Sequence, residues 1–262
     1  MNDKISSKTN ANIKYAKKLL SSAPFRRKEK SFLIEGVRLC ADALKSGIKL
    51  KIVFYTEKCR EKFSETINSL ISQAEHSFET NEDIIKLISD TDTPQGVVCI
   101  CEMPSSKRES GEYSDKLVML ENIQNPSNLG SIFRTCDALG VKNVIISGDS
   151  CDVYNPKVLR GSMGATFRLN IKVCEDFRSF ILELIESGYK VYATVPSNDA
   201  ERLGKSSLLS GKCAVVFGNE GNGVTAETID LCTGKLTIPM TGNAESLNVS
   251  VAAGIVIWEL TK

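Results

Sequence analysis

The sequence lacks any uninterrupted run of about 18 apolar residues, so we expect no transmembrane helix. Its amino-terminal segment carries lysines among polar residues and has no apolar core of the secretory-signal type. Apolar residues make up 42% of the 262 residues and charged residues 25%, which is ordinary for a folded chain with a sizeable core. These features predict a cytoplasmic protein that does not bind membranes.

Histidine is almost absent, and no C-x-x-C pair occurs. His76 is the only histidine, so a structural zinc site is not expected, and we predict no metal. The nine cysteines are scattered, odd in number and without framework spacing, which is typical of reduced thiols that serve as small buried apolar residues. This cysteine usage also favours the cytoplasm.

Two common nucleotide-binding fingerprints are missing. The chain has no G-x4-G-K-[ST] segment, which excludes a P-loop NTPase. The glycines Gly218, Gly221 and Gly223 do not have G-x-G-x-x-G spacing, and they lie near the end of the chain rather than after a first strand. A dinucleotide-dependent oxidoreductase is therefore a weak alternative.

Charge is concentrated at the start of the chain. Residues 1–30 contain nine basic and two acidic side chains, a local charge of +7 in a chain whose total is +1. Basic side chains neutralise phosphates, so this segment predicts a polyanion partner, although a solvated helix face is the plain alternative. The candidate RNA-binding residues here are Lys14, Lys17, Arg26 and Arg27.

The pattern of apolar runs and breakers predicts two α/β domains. A small domain covers residues 1–104 and includes a charged turn at 26–30 and one long helix at 58–73. A polar linker follows at 105–115, and the second domain covers 116–262. In the second domain strands alternate with helices, which predicts a parallel sheet. Its predicted strands are 117–121, 143–147, 190–195, 213–217 and 236–239.

Three segments of the second domain combine a strand-like run with a polar, glycine-containing loop. The first contains Asn128-x-Gly130-x3-Arg134, and the second reads Phe217-Gly218-Asn219-Glu220-Gly221-x-Gly223. The third contains Ile238-Pro239-Met240 followed by Ser246-Leu247-Asn248-Val249-Ser250. In order and spacing they resemble the three motifs of the SpoU/TrmH family of SPOUT RNA methyltransferases.

The resemblance implies a fold and an activity. It implies a SPOUT α/β domain with a parallel sheet and a C-terminal trefoil knot. Separately, Lys8-x-Asn10-x2-Ile13-Lys14 and Phe32-Leu33-Ile34-Glu35-Gly36 in the first domain resemble the L30e-like substrate-binding domain often found ahead of such catalytic domains. The family transfers a methyl group from S-adenosylmethionine to a ribose 2′-hydroxyl of RNA, which requires help with removal of the hydroxyl proton and in-line positioning. It also implies a homodimer, and the apolar stripe Leu247, Val251, Ile255 and Trp258 on the last helix is interpreted as core or as half of a dimer contact.

By the same resemblance Arg134 lies at the reacting hydroxyl. A guanidinium is normally protonated, so its role is either that of a base or that of a group that positions the hydroxyl and stabilises oxyanion charge. Glu220 is the expected bidentate partner of Arg134. Asn128 is placed at a helix N-cap and helps to hold the arginine, while Asn219 receives no catalytic part. The implied catalytic residues are Asn128, Arg134, Glu220, Ser246 and Asn248.

The remaining implied residues bind cofactor and RNA. The S-adenosylmethionine site is expected to involve Gly218, Gly223, Ile238, Met240 and Leu247. A further family-like segment, 155–165, offers Lys157 and Arg160 as phosphate contacts. The first domain favours ribosomal RNA of the large subunit (23S rRNA) as the substrate. Transfer RNA, or a non-catalytic RNA-binding role in ribosome assembly, are the alternatives.

Overall fold

The structure is a computed structural model that describes residues 3–104, 113–204 and 209–262. These residues form two compact units. The first unit combines the residues up to 104 with Asp152–Phe167, and the second combines residues 113–151 with 168–262. Most of the linker predicted at 105–115 lies outside the described residues.

The first unit is built on a mixed β-sheet of order β1-β4-β3-β5-β2. Within the described ranges its strands are β1 (Asp3–Lys4), β2 (Ser31–Glu35), β3 (Leu50–Thr56), β4 (His76–Thr80) and β5 (Val97–Glu102). β5 is antiparallel to β2 and β3, whereas the pairs β1–β4 and β3–β4 are parallel. Both faces of the sheet are covered, since Phe32 and Ile34 belong to one buried cluster and Leu33 to another.

Six helices that precede β5 cover this sheet in the described residues. They are α1 (Ala11–Ser21), α2 (Ala23–Glu29), α3 (Val37–Lys45), α4 (Glu57–Lys62), α5 (Ser64–Gln73) and α6 (Glu82–Leu87). The charged turn predicted at 26–30 is wrong, because the Ser22 side chain caps a helix there and Pro24 suits its first turn. The single helix predicted at 58–73 is divided at Phe63 into α4 and α5.

The second unit contains a parallel sheet of order β10-β12-β9-β11-β6-β7-β8. In the part of the chain that is described, its strands are β6 (Lys116–Leu120), β7 (Asn143–Ser147), β8 (Asn170–Cys174), β9 (Lys190–Thr194), β10 (Glu201–Arg202), β11 (Cys213–Phe217) and β12 (Gly234–Thr237). All its strand pairs are parallel, which confirms the predicted α/β fold class. β11 is buried along its whole length, as expected for a central strand of such a sheet.

The helices of the second unit lie between these strands or, for the last helix, after them. They are α7 (Pro126–Ala138), α10 (Phe177–Glu186), α11 (Ala226–Leu231) and α12 (Val249–Leu260). α12 packs against α7 and β11. Its buried face carries Ala253, Val256, Ile257 and Leu260.

The opposite face of α12 is exposed. Val251, Ile255 and Trp258 are exposed to 52%, 39% and 55%, and Leu247, which precedes the helix, to 38%. The interpretation of this stripe as core of the single chain is therefore wrong.

One segment of the sequence between β7 and β8 belongs to the first unit. It contains α8 (Pro156–Ser162) and most of α9 (Ala165–Arg168). Leu159 is part of a core cluster of the first unit, and the ring of Tyr154 stacks on Phe32 with centroids 4.6 Å apart. The structure thus differs from the prediction that all of 116–262 forms one domain.

Among the described residues, no helix has the length and apolar character needed to cross a membrane. The same residues contain no group of three or more His, Cys, Asp or Glu side chains placed to hold a metal ion. All nine cysteines are free, and all but Cys151 and Cys232 are buried.

Candidate active site

Two polar loops leave the same edge of the parallel sheet. Leu120 at the end of β6 is in register with Phe217 at the end of β11. The loops that follow, 121–125 and 218–224, therefore begin side by side at the carboxyl ends of neighbouring strands, where open α/β sheets bind ligands. This arrangement brings together the first two of the three sequence motifs.

The carboxylate of Glu220 joins the two loops. Its Oε1 accepts hydrogen bonds from the backbone N–H of Asn125 at 2.9 Å and from Nδ2 of Asn128 at 3.0 Å, and its Oε2 accepts from the N–H of Gln124 at 3.1 Å. Partial burial opposes ionisation of Glu220, but the hydrogen bonds from Asn128, Asn125 and Gln124 outweigh it and lower the pKa of this carboxyl group. Glu220 is therefore an ionised, firmly held acceptor at neutral pH.

Asn128 connects this carboxylate to the third motif. Its Oδ1 accepts a hydrogen bond from Nδ2 of Asn248 at 3.1 Å, and Asn248 in turn caps α12 by accepting from the N–H of Ser250 at 2.9 Å. The predicted cap role of Asn128 is wrong, because Asn125 caps α7 and Asn128 lies in its first turn. The structure brings Asn128, Glu220 and Asn248 into one hydrogen-bonded chain.

Arg134 does not join this chain. The predicted ion pair between Arg134 and Glu220 is absent, and Arg134 is exposed without a hydrogen bond or ion pair to any residue in the described ranges. Geometry explains the difference: six residues of helix separate Arg134 from Asn128, a rise of about 9 Å along α7. The hydrogen bonds that Glu220 was expected to accept from the guanidinium of Arg134 come instead from the backbone and side-chain amides around it.

A cleft of about 360 Å³ lies at the same sheet edge. All five residues expected at the cofactor site line it: Gly218, Gly223, Ile238, Met240 and Leu247. Glu220 and Ser246 also line the cleft, whereas Asn128, Arg134 and Asn248 are not among its lining residues. The predicted cofactor residues thus share one cleft with Glu220 and Ser246, and Glu220 links this cleft to Asn128 and Asn248, whereas Arg134 makes no hydrogen bond or ion pair with this group.

Gly218 is where the two legs of the 218–224 loop approach each other. A Cβ added to Gly218 would lie 2.0 Å from the carbonyl carbon of Gly223 and 2.1 Å from the nitrogen of Val224, so any side chain would force the backbone apart. Backbone hydrogen bonds between Asn219 and Gly223, at 2.9 and 3.0 Å, close the loop beside this contact. Gly223 has a φ of +70°, which also favours glycine.

Asn219 organises the loop from within. Its Oδ1 accepts from the N–H groups of Gly221 at 2.9 Å and Asn222 at 3.1 Å, while its Nδ2 donates to the carbonyl of Asn122 at 2.9 Å. The sequence assigned Asn219 no catalytic part, and the observed contacts are those of a residue that shapes the loop.

One wall of the cleft was missed by the sequence reasoning. Thr194, Val195 and Pro196, at and after the end of β9, line it together with residues of the second and third motifs. β9 lies between β11 and β12 in the sheet, so its carboxyl end opens onto the same edge. Only the strand order reveals this, because the segment carries no glycine-rich signature.

The predicted RNA-binding residues of the first unit differ in their surroundings. Lys14 and Lys17 on α1 and Arg27 on α2 are exposed. Arg26 is only 3% exposed, and its guanidinium donates to Asp152 at 2.7 Å and to the carbonyl of Leu19 at 2.6 Å. A buried guanidinium with these partners does not reach a phosphate, which corrects the prediction for Arg26.

The two predicted contacts on α8 also differ. Lys157 is exposed. Arg160 is two-thirds covered and is paired with Glu35 at 3.0 Å and Asp90 at 2.7 Å. Its charge is therefore largely compensated within the first unit.

Comparisons with known proteins identify the class to which this fold and site belong. The sequence profile of the SpoU rRNA methylase family matches residues 115–258, and that of an MRM3-like substrate binding domain matches residues 10–99. The chain is 34% identical to the 23S rRNA (guanosine(2553)-2'-O)-methyltransferase RlmP of Bacillus subtilis, over 98% of both chains. It is 26% identical to the 23S rRNA (uridine(2479)-2'-O)-methyltransferase of Streptomyces viridochromogenes, over 97% of this chain and 90% of that one.

A solved structure agrees with these relatives. The AdoMet-bound rRNA methyltransferase from Sinorhizobium meliloti matches with a TM-score of 0.84 at 28% identity, over 98% of this chain and 97% of that chain. The fold is that of a methyltransferase whose cofactor is S-adenosylmethionine. The chain belongs to the SpoU rRNA methylase family.

Proposed function

We propose that this enzyme transfers a methyl group from S-adenosylmethionine to a ribose 2′-hydroxyl of 23S ribosomal RNA. The observation that carries the proposal is the hydrogen-bonded chain Glu220–Asn128–Asn248, which links the three motifs at the border of the cleft. The names of the relatives from Bacillus subtilis and Streptomyces viridochromogenes support both the acceptor atom and the RNA.

The cleft is proposed as the cofactor site. Its volume of about 360 Å³ falls in the range of roughly 300–1,000 Å³ that is usual for small-molecule sites. Ile238, Met240 and Leu247 supply apolar surface, and Gly218, whose glycine lets the two sides of the loop meet, lines the cleft with its backbone. When bound, S-adenosylmethionine supplies the electrophilic methyl group.

Arg134 is proposed as the residue that meets the acceptor ribose. Its guanidinium is exposed and makes no ion pair with the described residues, so its five N–H donors remain available to RNA. We assign it the positioning of the hydroxyl and the stabilisation of oxyanion charge rather than proton abstraction, since an arginine stays protonated at neutral pH. Ser246, which lines the cleft, and Asn248, which donates to Asn128, are proposed to complete the polar wall of the site.

The first unit is proposed as the RNA-docking domain. The MRM3-like substrate binding match over residues 10–99 supports this, as does the exposure of Lys14, Lys17 and Arg27. Lys157 is kept in the proposed surface, and Arg26 is left out because of its burial. The compensated charge of Arg160 gives it at most a minor part.

A homodimer is part of the proposal. Val251, Ile255 and Trp258 form an exposed apolar face on α12, and a second copy of the chain would remove this face from water. The trefoil knot implied by the family resemblance, and the cytoplasmic location predicted from the composition, belong to this proposal.

The test is transfer of tritium-labelled methyl groups from S-adenosylmethionine to total RNA from cells that lack the protein. We expect label in 23S rRNA. Label confined to transfer RNA would contradict the proposed substrate while keeping the chemistry. No label in free RNA or in ribosomal precursor particles, with cofactor binding intact, would contradict the enzymatic proposal and favour a non-catalytic role in assembly.

A further inference from the structure

Glu121 is a buried carboxylate without a basic partner. It directly follows β6, and the residue is only 7% exposed. No lysine or arginine among the described residues forms an ion pair with it. A buried charge of this kind needs other hydrogen-bond donors to compensate the loss of water.

The donors come from the residues that follow the 218–224 loop. The backbone N–H of Thr225 donates to Oε2 of Glu121 at 2.8 Å, and the Thr225 hydroxyl donates to Oε1 at 2.8 Å. The hydroxyl of Thr228, which is fully buried, also donates to Oε1. Thr225 is the N-cap of α11, so the carboxylate fixes the point where the loop ends and the helix begins.

The backbone of Glu121 binds the other end of the same loop. Its N–H donates to the carbonyl of Phe217, the last residue of β11, at 2.8 Å. The main chain of Glu121 therefore holds the leg of the loop that begins at Phe217. The side chain of the same residue holds the leg that ends at Thr225. Glu121 therefore bridges the two ends of the loop, in addition to the backbone hydrogen bonds between Asn219 and Gly223.

The loop residues that line the cleft lie between these two legs. Residues 218–223 all belong to its lining, whereas Glu121, Thr225 and Thr228 do not. We propose that Glu121 is a positioning residue of the cofactor site, which sets the affinity for S-adenosylmethionine by fixing the separation of the two loop legs. This inference rests on the proposed assignment of the cleft to the cofactor.

The substitution Glu121→Gln tests the carboxylate at nearly constant size. An amide has one acceptor oxygen and places an NH₂ group against donors, so at least one of the three hydrogen bonds is lost. We expect about tenfold weaker binding of S-adenosylmethionine by titration calorimetry. We also expect faster amide hydrogen exchange in residues 219–225 of the cofactor-free protein.

The threonines provide the matched series. Thr225→Val and Thr228→Val each remove one hydroxyl donor and should weaken cofactor binding and raise exchange in the same residues. Thr225→Ser keeps both the backbone N–H and the hydroxyl donor, so cofactor affinity and hydrogen exchange should match those of the wild type. Thr166→Val is the control, since Thr166 is a buried threonine of the first unit whose hydroxyl bonds to Ser162; it should leave cofactor affinity and exchange at 219–225 unchanged.

Leu247→Asp distinguishes failure of the positioning role of Glu121 from failure of the assignment of the cleft to the cofactor, because Leu247 itself lines the cleft. If Leu247→Asp weakens cofactor binding and Glu121→Gln and Thr225→Val do not, the positioning role is overturned and the cleft assignment stands. If none of the three weakens binding, the cleft assignment fails and the inference fails with it. Unchanged exchange at 219–225 in Thr225→Val and Thr228→Val overturns the inference even where Glu121→Gln does not fold.

Discussion

The side-chain amide of Asn128 donates to the carboxylate of Glu220 at 3.0 Å, across 92 positions of sequence. The same amide accepts from Asn248, so its two ends connect the second and third motifs. An asparagine suits this position because it offers a donor and an acceptor on one planar group. Aspartate has nearly the same shape and lacks the donor.

Asn128→Asp should therefore damage the site without changing its size. The variant sets a second carboxylate against Glu220 and removes a hydrogen bond to a charged group, which is worth about 1.5–3 kcal/mol. We expect turnover to fall roughly 10- to 150-fold in a methyl-transfer assay. Asn81→Asp is the control, because Asn81 caps α6 as an acceptor only, from the N–H of Ile84. Equal turnover in the two variants would contradict the account.

Arg134→Ala should separate binding of the cofactor from chemistry. Arg134 does not line the cleft, so the dissociation constant of S-adenosylmethionine should stay close to that of the wild type. Methyl transfer should fall by about 10²-fold or more, as expected for loss of one group that stabilises transition-state charge. The control is Arg178→Ala, an exposed arginine on α10. Retained turnover would remove Arg134 from the mechanism.

The exposed face of α12 predicts a concentration-dependent dimer. Trp258→Asp replaces the largest apolar side chain of this face by a charge, and sedimentation equilibrium should then show monomers where the wild type shows dimers. Leu182→Asp is matched, since Leu182 is 45% exposed on α10 and outside the proposed contact. A wild-type protein that is monomeric at micromolar concentration would contradict the dimer.

The pKa of Glu220 predicts how stability depends on pH. Burial opposes its ionisation, but the hydrogen bonds from Asn128 and two backbone amides lower its pKa in the folded protein below the ordinary value of 4.5. The contribution to stability is therefore complete above pH 4.5 and lost as pH falls through the lowered pKa. The difference in free energy of unfolding between wild type and Glu220→Gln should shrink on acidification. A difference that is constant from neutral to acid pH would refute this, and Glu227→Gln serves as the surface control.

The basic residues of the first unit should divide into two groups. Replacing Lys14, Lys17 and Arg27 by glutamine should weaken RNA binding and reduce the slope of log affinity against log salt by about 2 to 3. Arg26→Gln should instead lower the free energy of unfolding by about 3–5 kcal/mol, because it leaves Asp152 without its buried partner. An unchanged salt slope in the triple variant would argue against docking on this surface.

Much of the second unit could be predicted from local pattern. Buried strands such as Cys213–Phe217 are continuous apolar runs, and the sequence places β6, β7, β9, β11 and β12 close to their observed positions. β8 and β10 were missed because β8 is an edge strand with half-exposed residues and β10 has two residues. That a pocket lies at these strand ends was predictable from the glycine-containing loops, whereas its individual residues were implied by the resemblance to the SpoU/TrmH motifs.

Other features depend on tertiary contacts that leave no local signal. Glu220 bonds to the amides of residues 124, 125 and 128 because the register of Leu120 and Phe217 places the two loops side by side, and Arg134 lies about 9 Å farther along α7 than Asn128. The sequence pattern predicts that Arg26 is an exposed basic residue. It is buried instead, and Asp152, 126 positions later, is its ion-pair partner. The inclusion of Leu159 in the core of the first unit has the same origin.

The acceptor atom is the central claim, and nucleoside analysis tests it directly. 23S rRNA methylated by this protein should be digested to nucleosides and separated by liquid chromatography with mass spectrometry. The account predicts that the added methyl group stays with the ribose fragment when the glycosidic bond is broken, at a single position. A methyl group that leaves with the base would contradict it.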